Sequence, residues 1–76
     1  MNILLVEDEP TLRAGTEQFL TQRGFTVIAV ASGEEALERF AKADAIILDI
    51  MLPGMSGIEV LHRIRQASDV PVLMLT

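Results

Sequence analysis

The sequence predicts an α/β domain in which a parallel sheet carries helices on both faces. Three observations predict it. Four short, nearly uninterrupted apolar runs are spread along the chain, as expected of strands buried on both sides. The segments between them open with helix-capping residues and carry apolar side chains at helical intervals. The alternation is strict, β-α-β-α-β-α-β, within 76 residues. That length has room for one small domain burying only about 60% of its unfolded surface, so a single domain over residues 1–76 is expected.

The first strand is Asn2-Ile3-Leu4-Leu5-Val6, stopped by the charged turn Glu7-Asp8-Glu9-Pro10. Pro10 has its φ preset for the first turn of a helix, and Asp8 and Glu9 precede it with favourable charge. Leu12, Phe19 and Leu20 follow at helical spacing as far as Arg23, and Gly24 supplies the stop. The second strand is Phe25 to Val30, rich in β-branched residues. Ser32 and Glu35 then have the spacing of a capping box, opening a helix whose Ala36, Leu37, Phe40 and Ala41 are expected on one face. Ala45-Ile46-Ile47-Leu48-Asp49 is the third strand, and it ends on a carboxylate. Ile50 to Gly57, with one proline and two glycines, reads as a loop. A second capping pair, Ser56 and Glu59, starts a helix through about Arg65 with Ile58, Leu61 and Ile64 expected to face the core. Val70 to Leu75 is the fourth strand, with Pro71 near its start, where a missing N–H does least harm.

Composition narrows the function classes. Half of the residues are hydrophobic but only three are aromatic, all Phe, so the core is aliphatic and intrinsic disorder is excluded. Six basic against eleven acidic residues leave a net charge of −5. That balance repels polyphosphate, so no nucleic-acid binding is expected of this segment, and it attracts divalent cations or basic partners. The absence of cysteine removes disulfides, thiolate catalysis and zinc–cysteine sites. No apolar run approaches the roughly 18 residues of a membrane span, and a cytoplasmic location is expected.

In a parallel α/β sheet, ligands bind beyond the carboxyl ends of the strands. Glu7 and Asp8 follow the first strand, Asp49 ends the third and Thr76 ends the fourth. Neighbouring strands lie about 4.8 Å apart, so Glu7, Asp8 and Asp49 can converge on one small ion if the first and third strands are adjacent. Taken singly, each carboxylate is better explained as a helix cap or turn former. Together at one sheet edge they would repel one another unless a cation neutralised them, and hard oxygen donors without His or Cys suit Mg²⁺ better than zinc. Thr76 reads more readily as a β-branched strand residue than as a site hydroxyl, and the sequence alone does not separate the two. His62, mid-helix among charged residues, reads as a surface histidine.

Leu4-Leu5-Val6-Glu7-Asp8-Glu9-Pro10, Ile46-Ile47-Leu48-Asp49-Ile50-Met51-Leu52-Pro53-Gly54-Met55-Ser56-Gly57 and Val70-Pro71-Val72-Leu73-Met74-Leu75-Thr76 closely resemble the receiver domain of bacterial two-component response regulators. The flavour is that of regulators carrying a winged-helix DNA-binding domain. The resemblance runs over the whole chain. It implies a flavodoxin-like doubly wound sheet of order 2-1-3-4, truncated before the last helix, strand and helix of the family's five βα units. It further implies that Asp49 accepts a phosphoryl group from a sensor histidine kinase. Glu7 and Asp8 would hold Mg²⁺ with Asp49 and the Met51 carbonyl, and Thr76 would bond the phosphoryl group. The family's lysine at the end of the fifth strand has no counterpart. The single lysine, Lys42, precedes the third strand, about 16 Å from Asp49 at the rise of an extended chain.

The resemblance thus implies an Mg²⁺-dependent phosphoacceptor in a phosphorelay that controls transcription, and not an enzyme. The alternative is a half-domain that is not phosphorylated and serves only as a self-associating interaction module. A phosphohydrolase that forms an aspartyl-phosphate usually has a second acid two positions after its nucleophile, where this chain has Met51. Phosphate-loop and dinucleotide fingerprints are absent, and Gly54-Met55-Ser56-Gly57 has the wrong spacing for a serine nucleophile elbow. Self-association is expected on one further ground. One helix covers the face over the first two strands, and nothing in the chain covers that face over the other two.

Overall fold

The computed structural model describes residues 1–75; Thr76, which the resemblance assigns to bonding the phosphoryl group, lies outside them. The strands are β1 (Asn2–Val6), β2 (Thr26–Val30), β3 (Ala45–Asp49) and β4 (Val72–Leu75), and all three pairings are parallel in the order β2-β1-β3-β4. The helices are α1 (Pro10–Gln22), α2 (Gly33–Arg39) and α3 (Gly57–Arg65), with a single 3-10 turn at Phe40–Lys42. β1 sits between two partners and is buried from Ile3 to Val6, which is why its sequence is apolar without alternation.

Local chemistry sets the helix ends. Glu9 is the N-cap of α1, its carboxylate accepting from the Leu12 N–H, and Pro10 opens the first turn. Gly24 takes φ +94° past the last turn, the left-handed stop expected of it. At α2 the Ser32 hydroxyl accepts from the Glu35 N–H (3.2 Å), while the Glu35 carboxylate accepts from the Ala31 N–H (2.9 Å). At α3 only half of the expected box forms. Ser56 Oγ accepts from the Glu59 N–H (3.3 Å), but the Glu59 carboxylate turns outward to Arg63 (2.9 Å).

The core lies between the sheet and the α2/α3 layer: Leu4, Val6, Val30, Ala36, Ile46, Leu48, Leu52, Val60 and Ile64. Three sequence expectations change here. The buried stripe of α3 is Gly57, Val60 and Ile64, with Leu61 half-buried, whereas Ile58 is 57% exposed. The helix is therefore rotated so that a residue directly after Gly57 faces outward. Ala41 is exposed, because α2 ends at Arg39 and the 3-10 turn shifts the angular position of the residues after it. On the opposite face α1 buries none of its residues fully, and Leu12 and Phe19 are 55% and 51% exposed. Among the described residues no helix lies on that face over β3 and β4, and Leu73 and Leu75 of β4 are exposed there. Arg23 lays its guanidinium over the Phe19 ring, 4.0 Å from its centroid, screening one side of it.

Candidate functional site

Pairing between β1 and β3 ends at Val6 and Leu48, so the next residues, Glu7 and Asp49, emerge side by side at the carboxyl edge of the sheet. One carboxylate oxygen from each of Glu7, Asp8 and Asp49 lies within 4.8 Å of the others. The structure thus brings together the three acids that the sequence singled out. Glu7 is buried, Asp8 and Asp49 half-buried.

Each acid is held by backbone. The Glu7 N–H donates to the Val30 carbonyl (3.1 Å), extending the β1–β2 ladder by one bond, and Glu7 Oε2 accepts from the Glu9 N–H (3.1 Å). Asp49 Oδ1 accepts from the Met51 N–H (2.9 Å), while the Met51 side chain is largely exposed. The next residue, Leu52, is buried in the core and anchors that loop. Burial raises the Glu7 carboxyl above its ordinary value of 4.5; the Glu9 N–H opposes the rise, and the charges of Asp49 and Asp8 add to it.

Among the described residues the ion pair is Arg63–Glu59 within α3, and no Lys or Arg side chain bonds to the carboxylates of Glu7, Asp8 or Asp49, Arg13 reaching only backbone carbonyls there. Lys42 sits at the other edge of the sheet, its carbonyl accepting from the Asn2 side chain (3.4 Å). Three hard oxygen donors that no basic side chain pairs with fit a divalent cation such as Mg²⁺, which Glu7, Asp8 and Asp49 would hold.

Two residues that shape this edge escape a reading by motif. Gly57 brings the start of α3 against the end of β3: its N–H donates to the Ile50 carbonyl (3.0 Å), and a Cβ there would collide with the Asp49 carbonyl oxygen and lie 2.7 Å from the Ile50 Cα. A glycine in the first helical position, where almost any residue is a better helix former, was the available signal. Arg13 donates to the backbone carbonyls of both Glu7 (3.0 Å) and Asp8 (3.3 Å). The signal there was weaker, a basic residue one turn into the helix that follows the acidic loop.

Comparison with known proteins places these features in context. The family model for the response regulator receiver domain matches residues 3–76. The chain is 43% identical over 77 residues to the transcriptional regulatory protein AfsQ1 of Streptomyces coelicolor, covering 99% of this chain and 34% of that one. It therefore spans about a third of the length of such curated relatives. A crystal structure of histidine kinase ThkA in complex with response regulator protein TrrA matches at TM-score 0.91 and 40% identity, over 99% of this chain and 67% of that chain. TrrA from Thermotoga maritima in complex with Mg²⁺-BeF matches at TM-score 0.87 and 37% identity, over 96% and 64% of the two chains. No described helix is long and apolar enough to cross a membrane.

Proposed function

The chain belongs to the response regulator receiver domain family, and on that footing we propose that it accepts a phosphoryl group on Asp49 from a sensor histidine kinase, with Mg²⁺ held by Glu7, Asp8 and Asp49. The observation that carries the reading is the convergence of three carboxylates on the carboxyl edge of β1 and β3 with no cationic side chain bonded to them among the described residues. The complexes of TrrA with a histidine kinase and with Mg²⁺-BeF support it by likeness.

The chain's own residues have separable tasks. The Met51 N–H occupies Asp49 Oδ1 and so fixes the carboxylate, leaving Oδ2 as the attacking oxygen. That oxygen forms a bond to phosphorus while the bond from phosphorus to the phosphohistidine nitrogen breaks, and the imidazole departs. Bound Mg²⁺ would supply the positive charge that offsets the phosphoryl oxygens. Glu7 and Asp8 would bind the cation, and the Met51 carbonyl and the Thr76 hydroxyl are assigned by family likeness as further ligands of metal and phosphoryl group. The modification replaces one negative charge with roughly two at the edge of the sheet. The chain is read as a stoichiometric acceptor in control of transcription rather than an enzyme.

Intact-mass analysis after incubation with a small phosphodonor and Mg²⁺ tests the assignment. One phosphoryl group on the wild type and none on Asp49→Ala is expected; phosphate on the mutant overturns the site. The exposed apolar face of β3 and β4 favours a second reading, self-association, which belongs to the same chain and has its own test below.

A further inference from the structure

Glu7 and Asp8 are consecutive, and in an extended strand consecutive side chains point to opposite faces. They approach Asp49 together only because the backbone leaves strand geometry after Val6, where β1 ends and its pairing with β3 stops. Leaving the ladder releases two carbonyls in succession, those of Glu7 and Asp8. Both are taken up by one donor, Nη1 of Arg13, at 3.0 and 3.3 Å. Arg13 is itself fixed in the first turns of α1, its N–H donating to the Glu9 carbonyl (2.9 Å), and its side chain is half-buried.

We infer that Arg13 is a positioning residue for the acidic pair, clamping the Glu7–Asp8 peptide in the one conformation that turns both carboxylates toward Asp49. The inference rests on the reading of those carboxylates as an Mg²⁺ site. A guanidinium suits the task because it is always charged and carries more than one N–H on a planar group, so a single nitrogen bridges successive carbonyls. It meets the loop through the carbonyls and leaves the carboxylate oxygens uncommitted. A basic residue paired directly with Asp8 would instead compete with the cation. Arg65 provides a built-in control, since it clamps the carbonyls of Ser68 and Val70 in the same way but at the α3–β4 connection.

The test is an Mg²⁺ titration of the 76-residue protein followed by amide chemical shifts, with hydrogen exchange measured on the metal-free samples. Arg13→Met keeps the aliphatic stem and removes the clamp. It is expected to weaken Mg²⁺ binding about tenfold, the lower end of what supporting partners contribute at metal sites. It should also speed exchange of the Glu9 N–H, which is bonded to Glu7 Oε2, while the amides of β1 and β3 keep their protection. Arg13→Lys, with charge and several N–H donors, should recover part of the affinity, and Arg65→Met should leave it unchanged. Wild-type protein that binds no Mg²⁺ overturns the metal reading and this inference with it. Binding by the wild type with undiminished affinity in Arg13→Met, or equal weakening by Arg65→Met, overturns the role of Arg13 alone.

Discussion

Substituting Gly57 by alanine tests whether close backbone approach, and not loop flexibility, explains that glycine. The added Cβ would fall on the Asp49 carbonyl oxygen and 2.7 Å from the Ile50 Cα, about 0.7 Å short of the 3.4 Å at which ordinary contact begins. Both neighbours are backbone of β3's end, so neither can swing aside as a side chain would. The helix must back away from the sheet, and overpacking of this kind costs about 1–3 kcal/mol. Helix propensity returns less than about 1 kcal/mol, so the variant should lose about 1–2 kcal/mol net. Gly15 is the matched control: it lies within α1 with nothing inside 4 Å of its would-be Cβ. Gly15→Ala should therefore gain about 0.5–1 kcal/mol. Urea denaturation followed by circular dichroism separates the two. With a slope of about 1–2 kcal/mol per molar, the midpoints should move in opposite directions, down by roughly 0.5–2 M for Gly57→Ala and up by roughly 0.25–1 M for Gly15→Ala. A Gly57→Ala midpoint equal to or above that of the wild type would refute the packing argument.

Asp8→Asn should abolish most Mg²⁺ binding, expected in the millimolar range for two or three carboxylates completed by water, and calorimetry that finds the affinity intact discards Asp8 as a ligand. Glu7 gives a pH dependence of known sign. Its folded-state carboxyl is raised above 4.5 chiefly by burial, so its contribution to metal-free stability is fully present below pH 4.5 and is lost as pH rises through the raised value. Glu7→Gln should accordingly match the wild type in acid and exceed it in neutral metal-free buffer; thermal melts in which the wild type gains on the variant with rising pH contradict this. For the open face, sedimentation at about 100 μM should find species heavier than 8.3 kDa, because burying even about 500 Å² of apolar surface is worth on the order of 12 kcal/mol before association costs. A sharp monomer that is folded and does not bind the dye ANS rules it out.

The sequence carried the strand runs and helix caps because each rests on a short-range cause: apolar continuity in β1 and β3, Pro10 and Gly24 at the ends of α1, Ser32 and Ser56 as caps. It also carried the three acids, since the polarity of parallel strands puts them at one edge of the sheet and β1 lies beside β3. Rotation of α3 was less legible. Ile58, Leu61 and Ile64 form as good an apolar stripe on paper as Val60 and Ile64, and the choice is made by Gly57, whose contact with Asp49 and Ile50 turns Ile58 outward. Leu12 and Phe19 satisfied helical spacing without being buried, because spacing reports which residues share a face and not what that face meets. Arg13 was hidden for a different reason. Its partners are carbonyls, which have no sequence identity of their own.

Glu7 and Asp49 grow from β1 and β3, the two strands with a hydrogen-bonded neighbour on each side, while β2 and β4 form the margins. Opening of a sheet proceeds from its margins, where a single ladder and sparse burial are all that must be given up. β4, with its alternately exposed pattern, is therefore first to detach, and its loss removes neither Glu7, Asp8 nor Asp49. The carboxylates should thus be the last polar feature to scatter as the domain melts. A cation bound there would reinforce the innermost cooperative unit, and the margins would remain free to breathe.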